Sequence, residues 1–299
     1  MTRSNVSRIG HKDERSSKNV SCTHRASRAS DGTTVWELFE SKASTAARFR
    51  LFLTLAFPFK LRIMIYAGTS GWAYPAWKPA FYPAKLASGK FLGYYAGRLN
   101  STEVNYTFRR FPTEKLLGGW AEATPAAFKF AIKAHQSITH VKRLQGAGDS
   151  TRRFLSTLQP LYDAGKLGPV LFQLPPFLKC DAARLREFLA ELPKAYRAAF
   201  EFRHESWFCE EVYSILHGTN AALCLAESEK LETPKVQTAD FSYLRLRNPE
   251  KMESVAERTK LMKTVAGLAK NGDVFAYFKH EDSPEGALHA EELLRNAKT

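Results

Sequence analysis

Cysteine is scarce and badly placed for a scaffold: the 299-residue chain has four, Cys22, Cys180, Cys209 and Cys224, with no CxxC pair and no tight spacing. That excludes a zinc knuckle and a disulfide framework; the residues read as reduced thiols, with Cys209 and Cys224 at or near a core. Long apolar runs are also missing. The longest, LFLTLAFPF at 51–59, contains Pro58 and is about half of what a membrane span requires. It lies too deep in the chain for a signal peptide and lacks a small-residue cleavage site. A cytoplasmic protein with no membrane partner is the expectation. No GxGxxG turn, no GxSxG elbow around Ser70 and no HxH or HExxH spacing is present. Dinucleotides, a serine nucleophile and the familiar zinc sites therefore find no motif, and no organic cofactor is called for.

What is there suits a large core. Hydrophobic residues make up 44% and aromatics 12% of the chain. The net charge of +14 is uneven: residues 1–62 hold 12 Lys+Arg against 5 Asp+Glu, leaving 32 against 25 for the rest. A high isoelectric point carried partly by a basic tail is no evidence of a nucleic-acid face. Ser, Thr and Arg dominate residues 1–62, which predicts a mostly disordered extension. A short amphipathic helix within 34–53 would present Val35, Leu38 and Phe39, and Met64 is an alternative start. Residues 63–299 have the size of one barrel domain.

From Ile63 onward, eight short apolar runs recur with helical periodicity between several of them: 63–68, 101–108, 127–133, 169–175, 198–203, 221–227, 241–247 and 273–279. In DAARLREFLAEL, Asp181 is a candidate N-cap, and Leu185, Phe188, Leu189 and Leu192 share one helical face. VAERTKLMKTVAGLAKNG ends at Asn271-Gly272, a stop signal. Strand and helix alternating over this length predict an α/β fold of the (β/α)8 TIM type.

In such a barrel, alternate strand residues point inward. The rule sends Val104, Tyr106, Phe108, Phe128, Phe130, Ile132, Phe200 and Phe202 toward the helices. Facing inward are Glu103 and Asn105, Lys133 and His135, Gln173, Glu201 and Arg203, Arg245, and Tyr277 and Lys279. Six strands each delivering a polar group to one face would be a costly way to fill a core, and the C-terminal face is where barrels keep their sites. The bland alternative is a satisfied ionic plug.

Lys133, Arg203, Arg245 and Lys279 outnumber Glu103 and Glu201 at that mouth, so a small anionic ligand is the expected partner. Glu201, Glu103 and His204 are the candidates for acid/base work, with Asn105, Gln173 and His280 as further ligand contacts. His140 in SITH either joins the ligand or orders its loop. Trp72 and Trp207, just past strands one and five, would offer faces to a ring. Glu103, His135, Glu201, His204, His280 and Glu281 could assemble a metal site, but the nearby cations oppose a divalent ion. Lys133 or Lys279 could form a Schiff base only if desolvated, and sequence shows no pKa depression. Two classes stay open: an enzyme acting on a small, ring-bearing anion, and a barrel that binds or processes nucleic acid with the same cations.

AGTSGW, FYP at 81–83, STEVNYTF, FKFAIKAHQSITH, LGPVLFQLPP, EFRHESW and YFKHED, in that order, resemble the domain of unknown function 72 family, also called YecE-like. The resemblance covers residues 63 to about 295. It implies a TIM-type barrel and no particular activity.

Overall fold

The computed structural model describes residues 63–227, 231–248, 252–279 and 283–297; the expectations for residues 1–62, Cys22, His280 and Glu281 fall outside them. Eight strands run β1 Ile65–Thr69, β2 Ser101–Val104, β3 Lys129–Lys133, β4 Leu167–Gln173, β5 Ala198–Glu201, β6 Ala222–Ala226, β7 Phe241–Leu246 and β8 Asp273–Phe278. All their ladders are parallel, in the order β1-β8-β7-β6-β5-β4-β3-β2. Around them lie α1 Phe91–Arg98, α2 Glu114–Glu122, α3 Gly148–Ser156, α4 Gln159–Asp163, α5 Ala182–Ala190, α6 Glu210–Gly218, α7 Val255–Leu268 and α8 Glu285–Asn296. The fold is a nearly closed α/β barrel, and Asp181 caps α5 as expected, its carboxylate accepting from Arg184 N at 3.0 Å.

Strand parity divides the apolar residues into two cores. Val104, Phe130, Ile132, Phe172, Phe200 and Phe202 belong to the outer core under the helices. Tyr66, Ala131, Leu171, Ala199, Cys224, Phe241, Tyr243, Phe275 and Tyr277 fill the barrel itself. Tyr66 stacks on Phe275 with centroids 4.7 Å apart, and Phe241 meets Phe275 edge-on. The N-terminal half of the barrel is thereby plugged with rings, so polar groups have room only near the other end.

Closure depends on side chains. No backbone ladder joins β1 to β2 among the described residues. In its place Ala67 N donates to Asn100 Oδ1 at 2.9 Å, and Asn100 Nδ2 donates to Ile65 O at 2.8 Å. Further along, the Tyr95 hydroxyl accepts from Thr69 N at 2.8 Å and donates to Ser101 O at 3.0 Å. Thr102 Oγ1 donates to Thr69 O. A Cβ on Gly68 would fall 1.8 Å from Ser101 O, so only glycine admits this approach.

Two sequence expectations need correction. The alternation of strand and helix breaks after β6, where no helix precedes β7 among the described residues. Thr233 and Thr238 instead hydrogen-bond the passing segment to Ala226 and to Ala221 and Leu223. The second run is also shorter than its alternation suggests. Asn105 turns into the helical region (φ −91°, ψ −16°), and Thr107 Oγ1 clamps the following 3-10 turn Tyr106–Phe108 to Val104 O and Lys133 O. Tyr106 is consequently exposed rather than packed under a helix.

Two substitutions separate the seam from the outer core. Tyr95→Phe is expected to lower unfolding free energy by about 1–3 kcal/mol, because a buried N–H and a carbonyl lose their partner. Phe202→Ala is expected to lower it by about 3–5 kcal/mol through a cavity under Trp207. Urea titration followed by circular dichroism measures both.

Candidate functional site at the C-terminal mouth

Above the ring-filled half, the inward positions of β2, β4, β5 and β7 carry Glu103, Gln173, Glu201 and Arg245. Arg245 lies between two carboxylates: Nη2 donates to Glu103 Oε1 at 2.6 Å and Nη1 to Glu201 Oε2 at 2.5 Å. Glu103 also accepts from Ser70 Oγ at 3.1 Å, Tyr243 OH at 2.8 Å and Asn105 Nδ2 at 3.3 Å. Glu201 accepts from Gln173 Nε2 at 2.8 Å and from Arg247 Nη2 at 3.5 Å. Glu103, Gln173, Glu201 and Arg245 are all buried. Burial alone would pull the Arg245 pKa down, but Glu103 and Glu201 more than offset that, and it moves upward. Burial, and then Glu103, pushes the Tyr243 phenol well up, so it stays a proton donor to the carboxylate.

Cations above this floor are differently placed. A cavity of about 420 Å³ opens over Glu201, bordered by Arg203, Arg247, Lys279, Glu227 and Thr233. Arg203 and Lys279 are exposed and form no ion pair among the described residues. Lys133, at the end of β3, is half-buried, with Nζ 4.3 Å from the centroid of the Phe108 ring. Burial and then the charge of Arg245 push its pKa down to about 8. Phe108 also meets His140 at a steep angle, with centroids 4.9 Å apart. Burial, with Lys133 and Arg203 adding repulsion, lowers the His140 pKa.

Glu103, Asn105, Lys133, Gln173, Glu201, Arg203, Arg245 and Lys279 thus gather at one end of the barrel. Other expected site residues do not reach it. Trp207 is fully buried, stacks on Phe202 at 4.5 Å and donates Nε1 to Leu178 O, so it presents no face to a ligand. His135 turns away toward Phe111, 4.7 Å off, and its Nδ1 accepts from Ser137 N. His204, two strands further on after β5, is bound in the same way at Nδ1, which accepts from Ser206 N and caps the 3-10 turn Glu205–Trp207. Ser206 accordingly caps no helix; its Oγ accepts from Cys180 N.

Arg247 and Tyr243 are the additions. Both share the parity of Arg245, Tyr243 within β7 and Arg247 one residue past its end, so alternation carried one residue beyond the strand singles them out. Trp72 lines a second opening of about 390 Å³ with Tyr74, Tyr106, Leu116 and Trp120, beside Asn105. Among the described residues no three His, Cys, Asp or Glu side chains converge at metal-ligand distance, and no helix is long and apolar enough to cross a membrane.

Fold and mouth define a parallel α/β barrel whose polar residues collect at the C-terminal ends of its strands, the position at which such barrels bind and react. The chain belongs to the family described as protein of unknown function DUF72, whose model matches residues 66–299. The UPF0759 protein YunF of Bacillus subtilis is 32% identical over 160 residues, covering 50% of this chain and 54% of that protein. The match therefore spans about half the length of that curated relative. The crystal structure of a DUF72 family protein from Thermotoga maritima superposes with a TM-score of 0.69 at 27% identity, covering 79% of this chain and 100% of that one. One from Enterococcus faecalis gives 0.65 at 19% identity, covering 78% and 96%, a likeness of fold.

Replacing Arg245 with Met is expected to destabilise the barrel by about 3–5 kcal/mol at neutral pH, because two buried carboxylates lose their shared counter-ion. Urea titration of both proteins at pH 7 checks the amount.

Proposed function

We propose that this protein is an enzyme that binds a small anionic substrate, carrying a carboxylate or phosphate, at the C-terminal mouth and acts on it by proton transfer. The observation that carries the reading is that Arg203 and Lys279, which form no ion pair among the described residues, face a cavity of about 420 Å³ with Arg247. A ligand anion there would replace water around those two cations, while the carboxylates of the floor are already held by Arg245 and Arg247.

Roles follow from hydrogen-bond capacity. Each oxygen of Glu103 and Glu201 already accepts from a buried donor, so taking a substrate proton would break one of those bonds. In this reading the two carboxylates position Arg245, and the proton-transfer groups are Lys133, with its pKa near 8, and His140. Trp72 and the aromatic opening would receive a ring where the substrate has one. The cytoplasmic placement suggested by unpaired cysteines is part of the same proposal.

Isothermal titration with inorganic phosphate and small dicarboxylates tests it. Arg203→Ala should weaken binding by about 1–3 kcal/mol without lowering the Tm, the scale of one hydrogen bond to a charged group. Affinity that collapses steeply with salt, and only for polynucleotides, would favour the nucleic-acid reading instead.

A further inference from the structure

Lys133 is the side chain in the mouth whose surroundings differ most from those of an ordinary lysine. It ends β3 and is half-buried, yet no carboxylate lies within ion-pair distance of its Nζ among the described residues. The charged groups that act on it come from three strands: Arg245 on β7, Glu103 on β2, and Glu201 and Arg203 at the end of β5. Both carboxylates bind Arg245 directly and Glu201 also meets Arg247 at 3.5 Å, so each already has a cationic partner other than Lys133. What remains near the ammonium is the guanidinium of Arg203, the Phe108 face and His140 on the edge of the same ring. Desolvation without a counter-ion favours the neutral amine.

We propose that Lys133 is a covalent nucleophile, forming an imine with the carbonyl carbon of a small aldehyde or ketone that also bears a carboxylate or phosphate. The neutral Nζ adds its lone pair to the carbonyl carbon, and the C=O π pair moves to oxygen. The nitrogen gives up a proton, the oxygen takes one, and the carbinolamine then loses water as the C=N bond forms. One amine and one carbonyl give one imine and one water, so no oxidant or co-reactant is needed. The imidazole of His140, which meets the same Phe108 ring as Lys133 and whose pKa burial, Lys133 and Arg203 lower, would accept the nitrogen's proton and return it to the departing hydroxyl. Arg203, Arg247 and Lys279 hold the anion, and in that respect the inference rests on the function proposed above. With a pKa near 8, about half of the Lys133 amine is neutral at pH 8, against on the order of one part in 300 for an ordinary lysine.

Reductive trapping tests this. The full chain is incubated at pH 8 with cyanoborohydride and dihydroxyacetone phosphate, pyruvate or neutral dihydroxyacetone, then digested and mapped by mass spectrometry. The expected result is a reduced adduct on Lys133 at least about tenfold faster than on any other lysine, faster with the two anions than with dihydroxyacetone. Its rate should level off near pH 8 rather than climb toward 10. Lys133→Arg keeps the charge, and Lys133→Met removes it; both should lose the adduct while melting as cooperative, folded proteins. Labelling spread over surface lysines with no excess at Lys133, or an adduct that survives in Lys133→Arg, overturns the proposal. Phosphate titration of the same samples separates the two readings: anion binding without trapping at Lys133 overturns the nucleophile and leaves the anion site standing, whereas no binding overturns the anion site itself.

Discussion

One guanidinium organises the upper half of this barrel. Arg245 reaches Glu103 on β2 and Glu201 on β5 at once, linking strands that are not neighbours in the sheet. Burying two carboxylates is unfavourable unless their charge is met and their remaining lone pairs are filled. Ser70, Tyr243, Asn105 and Gln173 do the filling, and each comes from a different strand or strand end. A one-residue slip of any strand in a parallel ladder would send its charged side chain to the helix face. The lattice therefore makes register a condition of stability, and it does so at the end where a ligand would bind.

The same dependence explains why the seam between β1 and β2 can do without a backbone ladder. Ser70 lies just past β1 and donates to Glu103 of β2, so the lattice itself spans the gap. Below it, Asn100 and Tyr95 supply donors and acceptors that peptide groups supply elsewhere. Gly68 lets the two strands approach closely enough for those side chains to reach. A barrel closed by side chains is closed at particular positions, and these lead up to the mouth.

Much of this was readable from alternation alone. Phe200 and Phe202 outside with Glu201 inside, and Phe130 and Ile132 outside with Ala131 inside, follow from a period of two on strands buried on both faces. The family resemblance agreed with that count. Alternation failed where the backbone left the extended region. Asn105 turns the chain before Tyr106, and the two His-x-Ser segments after β3 and β5 form turns in which the histidine accepts a backbone N–H. Those turns occupy Nδ1 of His135 and of His204 with a backbone N–H, and nothing in residue spacing signals it. Trp207 was misread for a related reason: it follows its strand closely, but the 3-10 turn carries it back under Phe202. Lys133 was found by parity, whereas its depressed pKa comes first from burial and then from the charge of Arg245, facts of three dimensions.

That last dependence joins fold and chemistry. Were Glu103 and Glu201 free, either could serve as counter-ion to Lys133, and the mouth would hold an ordinary ammonium among ordinary acids. Because Arg245 binds them both and Arg247 adds a second cation at Glu201, the floor carries two charges of each sign, while Arg203 and Lys279 above it form no ion pair among the described residues. Positive potential then acts on a half-buried amine from more than one side, and removing its proton is the cheapest way for the site to relax. A bound anion would offset part of that potential and raise the Lys133 pKa again. On the proposed reading, occupancy of the anion site and the protonation state of Lys133 are therefore coupled through the same few charges.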